Sequence, residues 1–247
     1  MDILKGVNAR DLLQDPGKGI DIRRMNVKKD SWFKVMAMNS LLSYSLKGSL
    51  LTLFYLYFSQ EKQTSLRFNK MPGNLLKNPN GYEDLKHWEL TENGGDQWRT
   101  EDMPEDCGHT FNDESITKYF CTSFELCMKR QVIDLLAEGY DPENLDIAQP
   151  AVNVEDWFCS RADCGCIYML TVTLLDENLE VIEEFKPDEV TLDPDSDDCS
   201  WKQVSHTFTD YGPGLRFISF AHGGQDTKYW KGWFGVRVTG SSVTVDL

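Results

Sequence analysis

From Asn74 onward, apolar and polar positions alternate in short runs. In "KYFCTSFELCM", Phe120, Thr122, Phe124, Leu126 and Met128 fall on one side and Cys121, Ser123, Glu125 and Cys127 on the other, which is the period of a strand. "QVIDLLAEG", "AVNVEDWFC", "CIYMLTVTLL", "LEVIEEF", "KQVSHTFTDY", "LRFISFAH", "WFGVRV" and "SVTVDL" read the same way, divided by turn-forming clusters such as "DEN", "DPDSDD" and "DYGPG". With one short helix around residues 142–145, the pattern predicts an all-β fold, an antiparallel β-sandwich. One stretch breaks the alternation. In "DTKYWKGWFG", Tyr229 and Trp230 are neighbours and cannot both face inward along an extended chain, so one of them faces solvent. Trp233 and Phe234, at the start of the next run, are expected in the core.

The pattern before residue 73 is different. "MAMNSLLSYSLKGSLLTLFYLYFSQ" is apolar, but Asn39, Lys47 and Gly48 interrupt it and leave too short a run to cross a bilayer. A partly buried or partner-facing helix, broken at Lys47-Gly48, fits better. The segment 1–72 is therefore expected to be helical or partly disordered, and 73–247 to form the main domain.

Charge divides the chain at the same place. Residues 1–72 carry 12 Lys and Arg against 6 Asp and Glu, a net of +6, and the remaining 175 residues carry 13 against 34, a net of −21. A chain with a formal charge of −15 lacks the cationic surplus that phosphate contacts require, so nucleic acid is not an expected partner. The seven cysteines are odd in number, and "MDILKGVNARDLLQDPGKG" does not read as a signal peptide, so reduced thiols in the cytoplasm are expected.

Catalytic and metal motifs are missing from the sequence. It holds no P-loop, no G-x-S-x-G elbow and no H-E-x-x-H pair. The four histidines lack ligand spacing, and His206 and His222 sit in strand-like runs where structural hydrogen bonding is the plain reading. Cys159, Cys164 and Cys166 in "CSRADCGC" offer three thiols where zinc wants four ligands, so buried thiols are expected. Asp163 reads as a turn residue. No catalytic residue, metal or cofactor is expected.

The motifs "NLLKNPNG", "NGGDQWR", "FNDESITKYFCTSFELC", "QVIDLLAEGY", "QPAVNVEDWF", "RADCGCIYMLTV", "VSHTFTDYGPGLRF" and "HGGQDTKYWKGWFGVRVTGSSV" occur in consecutive order. Together they resemble the F-box-associated domain of the sugar-binding F-box proteins. The resemblance implies a sandwich of about ten strands with a galactose-binding-like shape. It also implies recognition of the inner chitobiose of high-mannose N-glycans on misfolded glycoproteins, which are then ubiquitinated in ER-associated degradation. By motif match, the sugar-contacting residues it implies are Phe124, Tyr229, Trp230 and Lys231. Alternation alone puts Phe124 on the same face as Phe120 and Leu126, so only the resemblance turns it towards a ligand.

Two departures stand beside the match. "DPENLD" follows "AEGY" where the family has a Trp-Glu-Glu-Leu stretch, and residues 1–72 show neither the Leu-Pro opening nor the helical pattern of an F-box. Weak or absent binding to the Skp1 adaptor of Skp1–cullin ligases is therefore expected. The resemblance also extends to a relative without an F-box, regarded as a receptor-like protein of cytotoxic cells. The alternatives to a ligase subunit are a free-standing lectin and a protein-interaction module.

Overall fold

The computed structural model describes residues 73–246. The expected N-terminal segment and its apolar helix lie outside them. The elements in chain order are β1 (Glu89–Asn93), β2 (Arg99–Asp102), β3 (Lys118–Cys121), β4 (Cys127–Asp134), α1 (Pro142–Ile147), β5 (Val152–Cys159), β6 (Cys166–Leu175), β7 (Val181–Phe185), β8 (Val190–Leu192), β9 (Lys202–Phe208), β10 (Phe217–Asp226) and β11 (Arg237–Val245). One sheet has the order β1-β4-β10-β6-β7, with β8 also pairing β6, and the other has β2-β3-β11-β5-β9. Every pairing is antiparallel. The result is the predicted antiparallel β-sandwich, with the short helix at the predicted place.

The alternation that predicted the strands also builds the core. Val152, Val154 and Phe158 of β5, Tyr168, Leu170 and Val172 of β6, Ile218 and Phe220 of β10, and Val243 and Val245 of β11 all pack between the sheets. Helix α1 starts on Pro142, with the Asp141 carboxylate accepting from the Glu143 N–H at 2.8 Å. It is tied down by Asp146, which accepts two hydrogen bonds from Arg216 (2.8 and 2.9 Å) and one from the Gly214 N–H.

Two readings of the strands are corrected. "KYFCTSFELCM" is not one strand: β3 ends at Cys121, β4 begins at Cys127, and the two belong to different sheets. At the junction, Thr122 Oγ accepts from the Val236 N–H (2.9 Å) and Ser123 Oγ accepts from the Asp96 N–H (2.8 Å). Thr122 is still bonded to the β11 side through its main chain (N–H to Val236 O, 3.0 Å), while Ser123 O already accepts from the Asp226 N–H at the end of β10, so the chain passes from one sheet to the other between these two residues. "WFGVRV" and "SVTVDL" are the converse case. They join as β11 across an irregularity between Thr239 and Ser242, and Trp233 and Phe234 fall before the strand.

A polar chain crosses the interior. Asp156 of β5, fully buried, accepts from Tyr168 Oη (2.6 Å), His222 Nδ1 (2.6 Å) and Ser241 Oγ (2.7 Å). Because the carboxylate only accepts, His222 carries its proton on Nδ1, and Nε2 accepts from the side-chain amine of buried Lys129. Lys129 lies over the ring of Trp88 at 3.3 Å and that of Phe120 at 3.8 Å. Burial pulls the Lys129 ammonium well below its ordinary range, with Asp156 opposing. Burial likewise pushes His222 down to about 4.

These contacts carry two expectations. Removing the carboxylate leaves three buried donors, on Tyr168, His222 and Ser241, without an acceptor, so Asp156→Ala should cost about 3–5 kcal/mol in urea unfolding. A His222 that stays neutral in the fold but takes up a proton near its ordinary 6.5 when unfolded makes the unfolded state bind more protons between those values. That contribution to stability is therefore lost as pH falls from about 6.5 towards about 4. An NMR titration of the His222 imidazole should show it neutral down to about pH 4, and titration near 6.5 would contradict the assignment.

Candidate functional site

Three connections meet at the end of the sandwich where β10 stops and β4 and β11 start: residues 94–98 between β1 and β2, residues 122–126 between β3 and β4, and residues 227–236 between β10 and β11. Ser123 and Thr122 hold them together. Ser123 Oγ donates to Gly232 O (2.8 Å), the Asp226 N–H donates to Ser123 O (3.2 Å), and the Gly235 N–H donates to Thr122 O (3.1 Å). Gly235 is required for this approach, since a Cβ there would lie 2.1 Å from Thr122 Oγ. The Gly94 N–H donates to Leu126 O (3.0 Å) and the Gly95 N–H to Glu125 Oε2 (3.0 Å), closing the 94–98 connection onto the 122–126 connection.

The four residues expected to contact sugar lie on two of these connections. Phe124 is half-buried in the turn between the sheets, with its ring against Gly95, and is not on a core strand. Tyr229 and Trp230 are 68% and 45% exposed, two large rings side by side in solvent. Lys231 is exposed beside them. Among the described residues, Tyr229 Oη, Trp230 Nε1 and Lys231 Nζ make no hydrogen bond or ion pair within the chain.

Their backbone is held from below. The buried carboxylate of Asp226 accepts from three consecutive main-chain N–H groups, those of Lys228 (3.0 Å), Tyr229 and Trp230 (3.2 Å). Burial pushes the Asp226 carboxyl above its usual range, and the three N–H groups pull it the other way. Tyr229 sits at φ 56°, in the left-handed region, which costs a non-glycine residue roughly 1–2 kcal/mol. The turn therefore depends on the bonds that Asp226 supplies.

A second layer supports Trp230 from the side. Phe234 meets it edge-on, with ring centroids 5.5 Å apart at 88°. The Arg161 guanidinium lies over Phe234 at 4.6 Å and is fixed by a two-pronged pair to Asp163 (2.7 and 2.8 Å). That hydrogen bonding holds the Asp163 carboxyl below the usual range. Asp163 is thus a paired residue as well as part of a turn; Phe234, expected in the core, is instead half-buried outside the core cluster, and nothing in the sequence pattern pointed to Arg161 as its partner. The sulfurs of "CSRADCGC" are buried free thiols, with Cys164 Sγ donating to Gly165 O and Cys166 Sγ to Cys159 O. Burial raises both above the ordinary thiol range.

Trp233 is a correction. It is half-buried, its Nε1 donates to Gln97 O (3.1 Å), and the Arg99 guanidinium covers its ring at 3.9 Å. It clips the 94–98 connection to the 227–236 connection, outside the core cluster. The sequence places it one residue after Gly232, at φ 123°, where the chain is still turning and has not entered β11.

Protein-family comparison defines the class. The model of the F-box associated region matches residues 67–245, and the chain belongs to that family. Among curated relatives, it is 58% identical over 179 residues to F-box only protein 2 of Bos taurus, covering 72% of this chain and 60% of that protein. It is 49% identical over 172 residues to F-box only protein 6 of Mus musculus, covering 70% and 58%. The chain thus spans about three fifths of the length of these relatives. Among solved structures, a xylan-binding domain from Paenibacillus barcinonensis has a similar trace at 9% identity and a TM-score of 0.41, over 71% of this chain and 96% of that one.

The two kinds of tryptophan should separate in stability measurements. Trp88 is buried in the core against Phe120, Phe220 and His222, and Trp88→Ala should cost about 3–5 kcal/mol. Trp233→Ala, which removes a half-exposed clip, should cost about 1–2 kcal/mol. Thermal and urea unfolding check this, and equal losses would return Trp233 to the core.

Proposed function

We propose that residues 73–247 bind carbohydrate at this end of the sandwich, with the inner chitobiose of high-mannose N-glycans as the ligand and Phe124, Tyr229, Trp230 and Lys231 as the contacts. The observation that carries the reading is the pair of adjacent exposed rings on a backbone braced from beneath. A pyranose has an apolar C–H face that an aromatic ring covers, while Tyr and Trp keep a polar edge for a half-wet groove. Lys231 supplies donors for ring hydroxyls or an acetamide carbonyl.

In this reading the chain is a non-catalytic, cytoplasmic recognition subunit that takes misfolded glycoproteins to a Skp1–cullin ubiquitin ligase in ER-associated degradation. The names of the relatives, F-box only proteins, support that larger role. Among the described residues no helix is long and apolar enough to cross a membrane. The second reading is a free-standing lectin or interaction module without a ligase role.

Titration with chitobiose tests the site. Trp230→Ala and Tyr229→Ala should each weaken binding by about fivefold or more, as loss of an aromatic contact worth on the order of 1 kcal/mol implies. Phe124→Ala should follow, and the melting temperature of the Tyr229 and Trp230 variants should hardly move. A wild type that ignores chitobiose would end the carbohydrate reading and leave the interaction module. Co-purification with Skp1 separates the two: recovery of a stoichiometric complex supports the ligase role, and its absence leaves the free-standing one.

A further inference from the structure

We propose that Asp226 is the positioning residue of this site: its buried carboxylate sets the main chain that presents Tyr229, Trp230 and Lys231, while its own N–H ties that turn to the connection carrying Phe124. The proposal rests on the carbohydrate reading for its effect on binding, though not for its effect on the loop.

Geometry carries it. Asp226 is the last residue of β10 and is completely buried, yet among the described residues no Lys, Arg or His pairs with it. Buried carboxylates are ordinarily matched by a cation or by several donors, and here the donors are the main-chain N–H groups of residues 228, 229 and 230. One oxygen serves Lys228 and Tyr229 and the other serves Trp230. Both oxygens are therefore committed to the segment that bears the exposed rings. The Asp226 N–H meanwhile donates to Ser123 O, one residue before Phe124. The next residue, Thr227, donates its N–H to Gly165 O and thereby fixes the exit from the strand.

The chemistry of the carboxylate is specific to this task. Asparagine offers one accepting oxygen, and its NH₂ group faces an N–H donor it cannot satisfy. Alanine offers no acceptor at all, and the three N–H groups must turn to water, which releases Tyr229 from its left-handed conformation. Without the brace, the two rings have to be ordered by the ligand itself, and affinity falls.

The experiment compares wild type, Asp226→Asn and Asp226→Ala by chitobiose titration, thermal melting and amide hydrogen exchange. Exchange protection at Lys228, Tyr229 and Trp230 should be present in the wild type, reduced in Asp226→Asn and lost in Asp226→Ala, with the β6 and β10 amides unchanged. Chitobiose affinity should fall about tenfold or more in Asp226→Ala and by less in Asp226→Asn. Protection at 228–230 that survives Asp226→Ala overturns the proposal, as does a loss of protection spread evenly through the sandwich. Should the wild type fail to bind chitobiose, the carbohydrate reading falls, and the exchange pattern alone still decides the role of Asp226.

Discussion

The Asp156 carboxylate is the point on which the sandwich is aligned. It belongs to one sheet, and two of its three donors, Tyr168 and His222, belong to the other. Apolar packing between two sheets is non-directional and tolerates small slides of one face over the other. A carboxylate with fixed donors does not. His222 pairs in register with Lys129 on β4 and Leu170 on β6, so one imidazole sets three strands against the opposite sheet. The end that carries the exposed rings inherits that alignment. Asp226 lies four residues beyond His222 on β10, and β4 starts two residues before Lys129. Strands pinned so close to their ends deliver the connections at 122–126 and 227–236 to a fixed place.

The surface charge is compatible with a neutral ligand. Residues 73–247 carry a net of −21, and such a field would oppose a phosphorylated or sulfated partner. An uncharged sugar is indifferent to it. Lys231 and the neighbouring Lys228 are both exposed, so the acidic surface has local cations where the exposed rings stand. Their effect is short-ranged at physiological ionic strength, where screening acts within about 8 Å. Hydrogen bonding by Lys231, more than attraction at a distance, is then what it offers a ligand.

Legibility in the sequence followed the physics of each element. β5, β6, β9 and β10 each have one face in the core and one outside or half outside, and alternation revealed them. β3 and β4 were run together because Thr122 and Ser123 keep the period of a strand while the main chain passes from the β11 side at Thr122 to the end of β10 at Ser123. β1, β2 and β8, of five, four and three residues, are too short to show a period. At the site, Tyr229 and Trp230 stood out because they broke the alternation. Phe124 obeyed it and was visible only through family resemblance. Asp226 looked like any turn-forming Asp, since nothing in "GGQDTKYW" tells that its carboxylate is buried beneath the next four residues.

That concealment bears on the proposed carbohydrate site. Sugar contacts in water are individually weak, and each flexible group that a ligand must immobilise costs about 0.5–1.5 kcal/mol, comparable with the on the order of 1 kcal/mol that one aromatic contact returns. A site of two exposed rings would lose much of its affinity if those rings and their backbone were free. Here the order is supplied by folding: Asp226 fixes the main chain, Phe234 fixes the edge of Trp230, and the Arg161–Asp163 pair fixes Phe234. Each support is anchored on a strand end or beside one, so the order reaches back through β10 to the interior. Exposed aromatic rings held on an ordered backbone, with strain at Tyr229 balanced by bonds from beneath, are what the proposed carbohydrate reading requires, since a surface already ordered by folding leaves little for a ligand to immobilise.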